Sequence, residues 1–145
     1  MITKTYDLCL KWRKEKKTVI SGFHSPMERE CLRILLMGPQ PVIVCPARGI
    51  WKRIPPELRR HIKLKRLLIV SKFPENIRRI TAQTAFARNQ FIGHLTDRIL
   101  VSFAQEGGKM ERLCREWIEQ RKTVLTFESR YNENLISMGV MPIPI

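Results

Sequence analysis

The chain has 145 residues, 43% hydrophobic and 28% charged, which suits one globular domain with a sizeable core and argues against disorder. Its 27 lysines and arginines against 13 aspartates and glutamates give a formal net charge of +14. Such a field draws polyanions, so a nucleic acid or another anionic surface is the first partner to consider, with solubility as the plainer reading.

No apolar run reaches the ~18 residues that span a bilayer, and the first residues lack the apolar stretch of a secretion signal. A cytoplasmic protein without membrane contact is expected. The four cysteines (Cys9, Cys31, Cys45, Cys114) form no CxxC, and His24, His61 and His94 stand in no ligand spacing. Neither a disulfide framework nor a metal or cofactor site is therefore expected.

In chain order, residues 2–17 read as a helix with Ile2, Tyr6, Cys9 and Leu10 on one face. Thr18-Val19-Ile20-Ser21 is a β-branched run stopped by Gly22 and reads as a strand. Ser25, Pro26 and Glu28 spell an N-cap, a first-turn proline and the third-position carboxylate of a capping box. The helix that they open carries Met27, Cys31, Ile34 and Leu35 as its apolar stripe and ends at Gly38-Pro39. A strand is expected at 42–45, a short helix at 56–62 inside the basic stretch Pro46 to Lys65, and a strand at 67–71. A largely apolar helix follows at 81–97, then a strand at 98–104. After the Gly107-Gly108 turn come a helix with Met110, Leu113, Cys114, Trp117 and Ile118 on one face and a strand at 123–127. Strands alternating with helices predict a single α/β domain, a Rossmann-like, mostly parallel sheet of about five strands with helices on both faces.

In such a sheet, ligands sit at the carboxyl ends of the strands. The loops expected there hold Gly22, His24 and Ser25, then Arg48, then Lys72, then Gly107, Gly108 and Lys109. Two of these loops run into helix N-termini, whose free N–H groups favour an anion, so a phosphate site is expected. No complete GxGxxG or Walker A motif specifies it. Plainer readings stand beside each residue: Ser25 as a cap, Gly107-Gly108 as a turn, His24 as a loop residue with local partners.

Charge is uneven. Residues 1–97 hold 20 basic and 7 acidic side chains, whereas 98–145 hold 7 and 6. Within 48–79, eleven basic groups face two acidic ones, with Trp51 and Phe73 interleaved. That composition fits a groove for single-stranded nucleic acid lined by Arg48, Lys52, Arg53 and Lys72, the aromatics either stacking on bases or packing under the loop. Nucleophilic catalysis lacks a motif such as GxSxG. Glu106 and Glu111 flank the glycine turn and either act on a glycosidic bond or serve as helix-face charge.

The segments VISGFHSPMERE, PVIVCPARGI, LLIVS, ARNQFIGHLTDRILVSFAQEGGKMERL and NENLISMGVMPI, in that order, resemble the DNA-processing protein family called DprA or Smf. The resemblance covers Val19 to the end, and ARNQFIGHLTDRILV is its most specific part. It places Gly22, Arg88, Asn89 and Gly108 at family positions. It implies a non-enzymatic, Rossmann-like protein that binds single-stranded DNA, forms a homodimer and serves a recombinase partner. His24-Ser25-Pro26 and Gln90 depart from the family pattern. The family's first strand is expected before residue 1, so an N-terminally shortened relative with a vacant central strand slot, prone to self-association, is the expectation. The alternative is a sensor or hydrolase of a small nucleotide-derived ligand, similar to phosphoribohydrolases. Against it, GGKME lacks the Gly-Thr that those enzymes carry.

Overall fold

A computed structural model describes residues 1–144 of the chain. Its elements are α1 (Ile2–Lys14), β1 (Val19–Ser21), α2 (Pro26–Leu36), β2 (Val42–Val44), α3 (Pro56–Lys63), β3 (Leu67–Ile69), α4 (Ala82–Leu95), β4 (Arg98–Leu100), α5 (Lys109–Glu119), β5 (Thr123–Phe127), a 3-10 turn (Arg130–Asn132), α6 (Glu133–Ser137) and β6 (Met141–Ile143). No helix among the described residues is long and apolar enough to cross a membrane.

The α/β class and parallel pairing are as expected, but the single sheet of about five strands is not found. Six strands form two three-stranded sheets, ordered β1-β2-β3 and β4-β5-β6, with every pair parallel. A continuous sheet needs a hydrogen-bonded ladder between its halves, and β1 and β4 are each an outer strand.

Two local readings also change. Residues 101–104 do not prolong β4. Val101 still donates to the Leu125 carbonyl at 2.9 Å, but the Ser102 and Ala104 carbonyls accept from the side-chain amides of Asn132 and Asn134, both at 3.1 Å. Side chains have replaced a neighbouring strand as the donors. The second change is β6, a strand beyond the last one expected at 123–127 and containing Pro142. It pairs as an outer strand, where proline's missing N–H is tolerated.

The chain divides into two compact units. The first comprises Tyr6–Ile92 with Ile2, and the second runs from Gly93 onward with Met1 and Thr3–Thr5. The first unit buries Cys9, Phe23, Cys31, Ile34, Leu35, Val42, Val44, Leu58 and Leu67 in one cluster. Leu113, Trp117, Val124, Phe127, Leu135 and Val140 are buried in the second. Charge follows the same division: 19 basic and 6 acidic side chains in the first unit, 8 and 7 in the second.

One turn recurs between helix and strand. The Lys16 amide donates to Arg13 and that of Lys17 to Trp12; Lys65 donates to Ile62 and Arg66 to His61; Arg121 donates to Ile118 and Lys122 to Trp117. This is the Schellman pattern, which closes a helix on a left-handed residue. Lys16, Lys65 and Arg121 hold φ of 58°, 57° and 61°. After α6 the same bonds form around Gly139, from Gly139 to Ile136 and from Val140 to Leu135. A cation beside the terminal carbonyls is favourable, while the left-handed backbone costs a side-chain-bearing residue about 1 kcal/mol.

Arg121→Gly should therefore raise stability by about 0.5–1 kcal/mol in urea denaturation; a decrease would show that the arginine contributes more than its backbone costs. Asn132 is fully buried and also donates to the Phe127 carbonyl at 3.1 Å. Asn132→Ala should destabilise the second unit by about 1–3 kcal/mol for each carbonyl left without a donor. Unchanged denaturation would remove Asn132 as the tie between these segments.

Candidate functional site

The first unit's site begins where β1 ends. The capping box read from the sequence is formed: the Ser25 hydroxyl accepts from the Glu28 amide at 3.2 Å, and the Glu28 carboxylate accepts from the Ser25 amide at 3.0 Å. The other carboxylate oxygen of Glu28 accepts from the Ser21 hydroxyl at 3.1 Å. The loop between β1 and α2 is thus tied to the helix that follows. Within it Phe23 is left-handed, with φ of 48°, although it is not glycine. Burial of its ring in the core offsets that strain.

Arg88, on α4, reaches this loop. A Cβ on Gly22 would stand 1.8 Å from its Nη1, so only glycine lets the guanidinium lie there. Nη1 donates to the Cys45 carbonyl at 3.1 Å and Nε to Asn89 Oδ1 at 2.8 Å. The residue is only 7% exposed, yet among the described residues no carboxylate forms a salt bridge with it. Burial pulls its pKa below the usual arginine value, and the field of Glu28 opposes that shift. A nearly buried cation that is hydrogen-bonded but not neutralised is an unusual arrangement, because desolvated charge is ordinarily paired.

The guanidinium lines a cavity of about 480 Å³ at the carboxyl ends of β1 and β2. Phe23, Val44, Ala47 and Leu58 line its buried, apolar part, while His24 and Ile80 are exposed. Trp51 is held at the cavity by a close approach of two loops. The Gly49 amide donates to the Ile77 carbonyl at 2.7 Å, and a Cβ on Gly49 would lie 2.3 Å from the Pro74 carbonyl oxygen.

Of the residues expected from sequence, Gly22, His24 and Arg88 line this cavity. Ser25 is occupied as the helix cap, and Asn89 orients Arg88. Arg48 does not line the cavity; its Nε donates to the Gly49 carbonyl at 3.1 Å, and its guanidinium lies 5.3 Å from the Trp51 ring centre. Lys72 lies 5.7 Å from the Phe73 ring centre, and Lys52 and Arg53 are exposed. Trp51, one of whose expected roles was packing under the loop, is partly buried against the first unit's core cluster, lines the cavity and carries a cation against its ring.

Gly107, Gly108 and Lys109 belong to the second unit, at the start of α5. There the Glu111 carboxylate accepts from the Asn134 amide at 2.6 Å and from the Gly107 N–H at 3.2 Å. Asn134, then the Gly107 N–H, and Arg115 hold Glu111 below the usual carboxylate range. That helix start already has its own anion.

Sequence reasoning missed Arg29, Arg33 and His61, all of which line the cavity. The signal was present in α2. Arg29, Leu32, Arg33 and Leu36 recur at helical spacing as a second stripe beside the core stripe. Arg33 is paired with Glu30, whereas Arg29 donates from Nε to the His24 carbonyl at 3.0 Å.

No protein-family model and no curated protein matches the chain. Among solved structures it is similar to DNA processing protein A (DprA) from Streptococcus pneumoniae, with a TM-score of 0.74 and 14% identity over 98% of this chain and 53% of that one. It is also similar to DNA processing protein A from Helicobacter pylori, described for its mode of binding single-stranded DNA. That match has a TM-score of 0.73 and 17% identity over 99% of this chain and 68% of the other. This chain spans about half the length of the pneumococcal protein. The resemblance seen in the sequence is therefore matched in three dimensions: the chain has a DprA-like fold.

Proposed function

We propose that this protein is a non-enzymatic DNA-processing protein that binds single-stranded nucleic acid through phosphate contacts, with Arg88 as the central anion-binding group. The observation that carries the reading is the burial of Arg88 against a cavity with no carboxylate in ion-pair range of its guanidinium. The DprA-like fold supports it, since the Helicobacter pylori protein of that fold binds single-stranded DNA. Composition supports it too, because the excess of positive charge resides in the unit that holds the cavity. Lys52, Arg53 and Lys72 extend the cationic surface outside it, and Trp51 offers a ring for a base.

The second reading, a sensor or hydrolase of a small nucleotide-derived ligand, draws support from the cavity's volume, which suits a small ligand. For hydrolysis a free carboxylate is wanted. Glu28 is engaged by Ser21 and Ser25, and Glu111 by Asn134 and Gly107, so the carboxylate this reading would use is Glu57, which lines the cavity from the start of α3 and is exposed. Binding is ranked ahead of catalysis on the fold, since the similar Helicobacter pylori protein is described for binding single-stranded DNA.

Affinity for a labelled single strand should fall steeply between low and physiological salt, with little sequence preference. Joint replacement of Lys52 and Arg53 by Ala should lower the slope of log affinity against log salt by about 1.4, since each phosphate contact on a single strand contributes about 0.7. Arg48 is left intact because it holds Trp51 and Gly49. An unchanged slope, with the circular dichroism spectrum preserved, removes these two residues from the interface.

Gly22→Ala drives a methyl group into the Arg88 guanidinium and should weaken strand binding about tenfold or more, the scale of one charge-assisted hydrogen bond. Full affinity in a folded Gly22→Ala protein would overturn the cavity as the binding site.

A further inference from the structure

We infer that the cavity selects a phosphomonoester, the terminal phosphate of a single strand or of a free nucleotide, over the internal phosphodiesters of a strand. The inference rests on the nucleic-acid reading above and deepens it by naming the part of the ligand that enters.

Placement of charge is the first reason. Arg88 is nine-tenths buried and lies among apolar lining residues, so a ligand must carry its anion inward to meet the guanidinium. A terminal phosphate has one substituent to accommodate on the way in. An internal phosphodiester must bring sugars on both sides past the same lining. The guanidinium lies so close to Gly22 that a Cβ there would stand 1.8 Å from Nη1, so that flank of the group is covered by backbone.

Charge magnitude is the second reason. Near neutral pH a phosphomonoester carries between −1.5 and −2 by its ordinary second ionisation, about twice the charge of a diester. Arg88 has no carboxylate partner, and Nη2 makes no hydrogen bond to protein among the described residues. Arg29 also lines the cavity; the exposed carboxylate of Glu57 lines it too but is in salt-bridge range of neither arginine. Two cations free of ion pairs match a dianion better than a monoanion.

Size and polarity supply the third. A volume of about 480 Å³ suits one nucleotide and not a run of them. The lining also holds His61, whose Nδ1 is buried with no protein partner. The imidazole adds a polar group to the lining from α3. Trp51 and Phe23 add aromatic surface to the same lining.

Calorimetric titration of the full chain with short thymidine oligomers tests this. The oligomers carry a 5′-phosphate, a 3′-phosphate or hydroxyls at both ends, and thymidine 5′-monophosphate serves as the free nucleotide. A phosphorylated end should bind about tenfold or more tightly than the hydroxyl-ended oligomer. That advantage should disappear in Gly22→Ala and shrink in Arg88→Lys, which keeps the charge but loses the planar fork. Strong binding of the mononucleotide assigns the free nucleotide as source; weak binding beside tight 5′- or 3′-phosphorylated oligomers assigns the strand end.

Equal affinities for phosphorylated and hydroxyl-ended oligomers, both lost in the variants, overturn this inference and leave the nucleic-acid reading standing. Affinities that ignore both folded variants overturn the reading and the inference together.

Discussion

Arg88 must keep a charged guanidinium among apolar neighbours, and the first unit is arranged around that requirement. Gly22 has no side chain where the guanidinium lies, Cys45 turns its carbonyl toward Nη1, and Asn89 accepts from Nε. These contacts hold Nε and Nη1 without cancelling the charge, and leave Nη2 without a protein acceptor among the described residues. The nearby carboxylate whose field reaches Arg88, that of Glu28, is held by Ser21 and Ser25 in the cap of α2. A buried ion is usually neutralised by a partner or silenced by a pKa shift. Arginine's very high pKa closes the second route, and the cap of α2 limits the first. The remaining positive potential is what a ligand anion would meet.

The second unit resolves a similar geometry in the opposite sense. Its parallel strands also end beside a helix N-terminus, at Gly108. There the protein supplies its own anion: Glu111 folds back on the Gly107 amide and is clamped by Asn134. A glycine-rich turn before a helix is thus compatible with either an open or a filled anion site. Which one results depends on whether a carboxylate a few residues on can reach the free amide. The Glu28 arrangement is a partial version of the same solution, since it occupies the start of α2 but leaves Arg88 available.

Strand placement rests on a repeated local device. Four helices end on a left-handed residue whose amide and that of its successor return to the last helical turn, and a strand follows within a few residues. In three of them the left-handed residue is Lys or Arg. The repeated basic pairs Lys16-Lys17, Lys65-Arg66 and Arg121-Lys122 therefore have a structural use besides adding to net charge. Part of the chain's basicity is helix termination, and only the remainder is surface available to a polyanion.

By itself the sequence determined the α/β alternation, the capping box at Ser25 and Glu28, the location of the positive charge and the resemblance to DprA proteins. Each of these depends on residues close in the chain or on composition, where local spacing carries the physics. Tertiary structure decided the rest. Arg88 and Gly22 are far apart in sequence, and no periodicity announces that one exists to make room for the other. The asparagines 132 and 134 end a strand some 30 residues away by taking its carbonyls, which turned an expected seven-residue strand into three residues. Pro142 within Met141–Ile143 hid an outer strand that only its partner, β5, reveals. The division into two sheets likewise depends on which edges find a hydrogen-bonded neighbour. Long-range pairing satisfies donors and acceptors that local pattern can count but cannot assign.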